Sequence, residues 1–217
     1  MATRGIVFFD IDGTLVPTTS SGSFLAARLG HHEELDDAER RYAAGELTNA
    51  EVSVIDARGW RGVDISTVDR WLDDLPLING IGEVASWCRS HRIEPVLASL
   101  AWQPVSRSIS RRYGFTVNGG PRVGVSGFVY NGTVAEHFDE YDKRDRALAL
   151  AVERHVRAQQ CCAIGDSRSD VPLFEVLPTS LALNAGPDAQ EAASDGMDTQ
   201  DLTEVIPWLQ EWELGLD

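Results

Sequence analysis

Two aspartates one residue apart, Asp10 and Asp12, end the apolar run of "GIVFFDIDGTLV". Like charges at such spacing repel and raise each other's pKa, and a strand-to-turn junction needs at most one Asp. The pair therefore calls for something cationic between its members. Only one of the 19 basic residues is a lysine, Lys143 in "EYDKRDRAL", in a chain that otherwise uses arginine. An ammonium is a compact point charge and a guanidinium a planar fork, so the two do not substitute for one another where a point charge is needed. Two more acids, Asp166 and Asp170, stand in "GDSRSD", and Ser99 ends the apolar stretch "IEPVLAS". Together these are the groups needed to hold a phosphate beside a divalent metal. Hard oxygen ligands suit Mg²⁺, which keeps waters and is held by one or two carboxylates plus a phosphate oxygen.

Four short apolar runs have to deliver these side chains. Residues 5–9, 93–99, 161–166 and 180–186 read as buried strands by length and composition. Each of the last three follows a helical pattern: "GEVASWCRSHR", "KRDRALALAVERHVRA" and "DVPLFEVL". Strand alternating with helix predicts an α/β fold, a doubly wound parallel sheet with helices on both faces. In such sheets ligands bind at the carboxyl ends of the strands, where Asp10, Asp12, Ser99 and Asp166 would lie, with Lys143 opening the helix before the third strand. Asp170 also suits the N-cap of a helix begun by Val171-Pro172. Residues 18–75 carry helical patterns and no strand, which predicts a small helical insertion. The stretch "FTVNGGPRVGVSGFVYNGTVAEH" reads as β-hairpins divided by Asn-Gly turns. A closing amphipathic helix tolerates Pro207 in its first turn.

With 217 residues, 43% of them hydrophobic, the chain suits one large domain or one domain with an insertion. A formal net charge of −15 disfavours nucleic acid as a partner. No apolar run reaches membrane-spanning length, and the N-terminal residues do not read as a signal peptide. The three cysteines, Cys88, Cys161 and Cys162, form no C-x-x-C and are expected to be reduced and buried, as in a cytoplasmic protein. The five histidines show no metal-ligand spacing. Trp60 and Trp102 are candidates to line a substrate pocket.

"DIDGTL", Ser99, Lys143 and "GDSRSD" resemble, in order and spacing, the four motifs of the haloacid dehalogenase superfamily, in its phosphatase branch. The resemblance spans nearly the whole chain, and the helical insertion is similar to the small cap of the phosphoserine-phosphatase-like group. It implies a core of residues 1–16 and 78–217 with a cap of residues 17–77. It also implies an Mg²⁺-dependent phosphatase acting on a small phosphorylated metabolite, while the charge and the short apolar runs speak against a nucleic acid or membrane partner. Asp10 would be the nucleophile that forms an aspartyl-phosphate, and Asp12 the general acid and base. Ser99 would hold a phosphoryl oxygen, and Lys143 would pair with the phosphate and Asp10. The Asp10 side chain, the Asp12 carbonyl and Asp166 would hold the metal, supported by Asp170. Gly13 and Thr14 would shape the turn around the phosphate.

The chain departs from the phosphoserine pattern in its substrate-binding positions. Nine residues after the nucleophile that group carries a Glu that grips the substrate's ammonium; here stands Thr19. Losing such a carboxylate costs about 2–5 kcal/mol of discrimination, which turns the expectation toward a larger or less cationic ester. The cap of that group also supplies an Arg for the substrate carboxylate, a part that the resemblance would give to Arg58 or Arg61, and the usual Gly-Gly-Phe after the serine is replaced by Leu100, Ala101 and Trp102. A dehalogenase does not need Asp12, and a phosphonatase would use a cap lysine, which the cap lacks. A phosphomutase or phosphotransferase shares the motifs. A non-catalytic sensor of phosphorylated metabolites would have no need of an attacking carboxylate.

Overall fold

The structure, a computed structural model, describes residues 3–216. Strand β1, Gly5–Phe9, is buried along its whole length, as expected of a central parallel strand with both faces covered. Its side chains alternate. Val7 and Phe9 enter a large core on one face of the sheet. Ile6 and Phe8 enter a smaller core on the other, with Val96, Ala147, Leu150 and Phe174. This is the period-two pattern of a strand read from both sides.

Four helices follow β1 before the sheet resumes: α1 (Ser21–Leu29), α2 (His32–Ala43), α3 (Asn49–Gly59) and α4 (Ile65–Asp73). Their starts are written locally. Ser20 accepts a hydrogen bond from the Ser23 N–H to cap α1, and Thr48 and Glu51 form a reciprocal capping box on α3. Then come α5 (Ile81–Ser90), β2 (Ile93–Leu97), α6 (Gln103–Tyr113), β3 (Thr116–Val117), β4 (Arg122–Ser126) and β5 (Val129–Glu136). The chain continues through α7 (Glu140–Glu153), β6 (Cys161–Gly165), α8 (Val171–Phe174), β7 (Thr179–Leu183), α9 (Pro187–Ala192), β8 (Asp195–Met197) and α10 (Ile206–Leu214). Pro207 stands in the first turn of α10, where its missing N–H costs nothing.

Among the described residues, six strands form one parallel sheet in the order β3-β2-β1-β6-β7-β8. The chain leaves β1 toward β2 on one side and returns to its other side as β6. The carboxyl end of β1 is therefore the switch point at which open α/β sheets make their crevice. The four strands read from sequence are all present. Two expectations change. Thr116 and Val117 do not belong to a hairpin but pair in parallel with Val96 and Leu97 of β2, and β8 adds an edge that the sequence did not announce.

The true hairpin, β4 with β5, lies outside the main sheet and ties onto the turn between α3 and α4. The Gly62 N–H donates to the Tyr130 carbonyl at 2.8 Å, Tyr130 N–H to Val63 at 2.9 Å, and Ile65 N–H to Phe128 at 3.0 Å. The ring of Trp60 meets those of Tyr130 and Trp102 edge to face, at 4.9 and 6.0 Å. Trp60 is thus core and does not line a pocket. All three cysteines are buried and unpaired.

Candidate active site

Asp10 follows β1 directly, and its main-chain N–H continues the ladder to the Ile164 carbonyl of β6 at 2.9 Å. Its carboxylate is thereby fixed at the switch point, 4% exposed. Lys143 reaches it from α7. That helix begins at Glu140, three residues earlier than the sequence suggested, because Asp139 and Asp142 build a capping box there. Lys143 consequently lies inside the first turn, 1% exposed. Its Nζ donates to Asp10 Oδ1 at 2.8 Å and to Asp170 Oδ1 at 2.6 Å. Burial by itself would lower the ammonium's pKa, but the two carboxylates outweigh it and hold the group protonated.

Asp170 does not cap α8 with its side chain. Its second oxygen instead accepts from the N–H groups of Asp166 and Ser167, at 3.0 and 3.1 Å. Gly165 makes this possible, since a Cβ there would collide with the Asp170 carboxylate. Asp166, at the end of β6, accepts from the Thr14 hydroxyl at 3.2 Å. Gly13 passes directly over Asp166 with φ +89°, and any side chain at that position would strike the carboxylate. Gly13 and Thr14 therefore shape the turn around Asp166, and Thr14 is fully buried behind it.

One carboxylate oxygen from each of Asp10, Asp166 and Asp170 lies within 4.8 Å of the others. Burial pushes the Asp10 carboxyl up to about 7, with Lys143 pulling it down and Asp170 and Asp12 adding to the rise. Burial likewise pushes Asp166 up to about 8, reinforced by Asp10 and Asp170. One ammonium among three carboxylates leaves a deficit of positive charge. An all-oxygen donor set with that deficit fits a hard divalent cation. Both oxygens of Asp170 are already taken by Lys143 and main-chain N–H groups, so it suits orienting its neighbours better than direct ligation.

Asp12 turns away from this cluster toward the helical insertion, where both its oxygens accept from Ser21, one from the N–H and one from the hydroxyl at 3.0 Å. Burial raises its pKa, with the Ser21 hydrogen bonds pulling against the rise. Ser99, two residues past β2 and buried, accepts from the Ala101 N–H at 3.1 Å, which leaves its own proton free to donate.

A cavity of about 440 Å³ opens beside Asp12, between the helical insertion and the loops at the carboxyl end of the sheet. Leu100 and Trp102 line it. Thr19 and Arg58 do not. The Thr19 hydroxyl turns to the Ser20 carbonyl, and Arg58 lies on the exposed side of α3, where the chain runs past Gly132 of β5. Arg61 packs over Gly132 and is equally remote from the cavity walls.

Sequence reasoning missed the insertion's contribution to these walls: Ser21, Glu39, Tyr42, Ser53 and Asp56, together with Arg168 from the sheet side. Asp56, 5% exposed, joins the two parts of the molecule. Its carboxylate accepts from Trp102 Nε1 at 2.6 Å and from Trp60 Nε1 at 3.2 Å, and pairs with His31 Nε2 at 2.6 Å. The one signal available was an acid set among apolar residues and a tryptophan in "VSVIDARGW".

A family model described as haloacid dehalogenase-like hydrolase matches residues 7–175. The chain is 22% identical over 206 residues to a phosphoserine phosphatase of Saccharomyces cerevisiae, an alignment that takes in 94% of this chain and 66% of that one. It is 24% identical over 184 residues to a phosphoserine phosphatase of Halobacterium salinarum, covering 84% and 87%. Thus it spans about two thirds of the length of the yeast relative. Among solved structures, a substrate-bound phosphoserine phosphatase complex superposes with a TM-score of 0.84 at 18% identity, over 96% of this chain and 99% of the other. A haloacid dehalogenase family hydrolase from Salmonella enterica gives 0.82 at 18%, over 91% and 68%. At such identities the structural likeness speaks for the fold.

Proposed function

The chain belongs to the haloacid dehalogenase-like hydrolase family, and from that premise we propose that it is a phosphatase of small phosphomonoesters, working through an aspartyl-phosphate on Asp10. The observation that carries this reading is the buried Asp10–Lys143–Asp170 chain beside Asp166 and Asp12. A binding module would gain nothing from a nucleophile held so. Two curated relatives named phosphoserine phosphatase support the reaction class.

In this reading Asp10 Oδ1 stays with Lys143 while Oδ2, which accepts no hydrogen bond among the described residues, attacks phosphorus. The new O–P bond forms as the bond to the leaving oxygen breaks, and Asp12 gives that oxygen its proton. Water then attacks the aspartyl-phosphate and returns a proton to Asp12, releasing inorganic phosphate and restoring the Asp10 carboxylate. Ser21 fixes the Asp12 carboxyl throughout. The Ser99 hydroxyl and the Lys143 ammonium hold the phosphoryl oxygens. Asp10, the Asp12 carbonyl and Asp166 would hold Mg²⁺, with Asp170 in support; when bound, the ion supplies the positive charge that gathers phosphate and carboxylates at one point. Residues 17–77 act as the cap that closes the cavity and excludes bulk water.

Inorganic phosphate release from a panel of phosphomonoesters, with Mg²⁺ and with chelator, tests this reading. Release with Mg²⁺ that stops with chelator is expected. A folded protein that binds Mg²⁺ yet releases nothing from any ester would shift the reading to a sensor, and phosphate moved within the product would make it a mutase.

The charge deficit has its own signature. Without metal, the folded protein keeps protons on Asp10 up to about pH 7 and on Asp166 up to about pH 8, which the unfolded chain releases near 3.8. The folded state therefore binds more protons across that window, so stability falls as pH rises from 4 to 8. Mg²⁺ should raise the melting temperature more at pH 8 than at pH 5, where it must displace protons. Equal shifts at the two pH values would contradict the assignment of these carboxylates to the metal.

A further inference from the structure

We propose that Glu39, on α2, is a specificity-determining residue of the cavity and reads a protonated amine on the leaving group. The proposal rests on the phosphatase reading and names the class of ester it acts on: phosphates of amino alcohols. Five other carboxylates in or beneath the cavity are engaged: Asp12 by Ser21, Asp56 by two indoles and His31, Asp10 and Asp170 by Lys143, Asp166 by Thr14. Glu39 lines the same cavity, half-buried, with no hydrogen bond or ion pair among the described residues. A half-buried carboxylate with no protein donor is open to one supplied by a ligand.

Its position fits a leaving-group contact. A Cβ built on Gly22 would lie 3.8 Å from Glu39 Oε1 and 3.6 Å from Ser20 Oγ, and Gly22 adjoins Ser21, which holds Asp12. Glu39 therefore faces the space next to the general acid, where the released alcohol must sit. Charge in the walls favours a cation. Asp12, Asp56 and Glu39 stand against Arg168, whose guanidinium lies 4.6 Å above the Tyr42 ring, one turn along α2 from Glu39. Burial pushes the Glu39 carboxyl up to about 7, with Asp12, Asp36 and Asp56 adding and His32 opposing, so an arriving cation would favour its charged form. A second metal fits poorly, because the three-acid cluster found among the described residues is that of Asp10, Asp166 and Asp170. The absence of a carboxylate at Thr19 thus does not empty the cavity of an amine-reading group.

The test compares pairs of phosphomonoesters with two-, three- and four-carbon chains, one member ending in an amine and the other in a hydroxyl. The wild-type protein should favour the amine in kcat/KM by about 10- to 100-fold in its preferred pair. Glu39→Gln should carry that ratio toward one through KM, and Glu39→Lys should turn preference toward chains ending in a carboxylate. Equal rates for both members, preference for the hydroxyl, or release only from esters without an amine would overturn the proposal and leave the phosphatase reading standing. An undiminished ratio in Glu39→Gln would also overturn it. No release from any ester would sink both. The wild-type comparison needs no variant, so a misfolded variant cannot shield the idea.

Discussion

Asp10→Asn should lower phosphate release by about 10⁴-fold or more, the scale seen when a covalent nucleophile is removed. The amide is nearly isosteric with the carboxylate, and the Asn oxygen can still accept from Lys143 as Asp10 Oδ1 does at 2.8 Å. The fold should therefore survive, while no anionic oxygen remains to attack phosphorus. Removing one buried negative charge from a cluster whose pKa values are raised by burial, with neighbouring carboxylates adding to the rise, should leave the metal-free protein no less stable at pH 8. The measurement is release of inorganic phosphate from the best ester of the panel, beside urea unfolding of both proteins. A variant retaining more than about 1% of the rate would remove Asp10 from the nucleophile's role and leave the aspartyl-phosphate without support.

Lys143→Met is the second large effect, and it falls on stability as well as rate. Methionine fills a similar volume without the charge, leaving Asp10 and Asp170, both under 5% exposed, facing each other without a cation. Breaking a buried ion pair from one side costs about 3–5 kcal/mol. The loss should be greatest at pH 8 and smaller at pH 5, where Asp10 can take a proton in place of the ammonium. Lys143→Arg should not rescue it, since a planar fork cannot occupy the space of a fully enclosed ammonium bonded at 2.6 and 2.8 Å. Urea unfolding at both pH values measures this. A loss below about 0.5 kcal/mol at pH 8, within the range of an ordinary surface change, would mean that the lysine does not hold the cluster together.

What could be read from the sequence divides along physical lines. Asp10, Asp166 and Asp170 were legible because each stands at the end of an apolar run or in a short motif, ends that a parallel sheet brings together, and Lys143 because it is the one lysine among 19 basic residues. The sheet's four inner strands were legible for the same reason. β3 was not, because two residues beside Asn-Gly-Gly carry only a turn signal, and it is pairing with β2 that makes them a strand. β8 consists of Asp195, Gly196 and Met197 at the sheet's edge, residues without strand preference. The insertion's wall was illegible in another way. Glu39 lies in "DDAERRYAAGEL" among other acids and two arginines, and only the packing of α2 over the cavity sets it apart from the exposed Glu33 and Glu34. Thr19 shows the converse error: its distance along the chain from Asp10 was suggestive, but its hydroxyl turns back on the Ser20 carbonyl.

The sheet order has a consequence for how the molecule is made on the ribosome. β1 lies in the middle of the sheet, yet its partner β6 follows more than 150 residues later. At about 5–20 residues per second of synthesis, that strand's open edge waits roughly 8–30 seconds for its second neighbour. For most of that interval Asp10 has neither the Lys143 ammonium nor the Ile164 carbonyl to meet, because both lie more than 130 residues further along the chain. The carboxylates of Asp10, Asp166 and Asp170 thus come together last, when β6 docks beside β1 and carries Asp166 and Asp170 to Asp10.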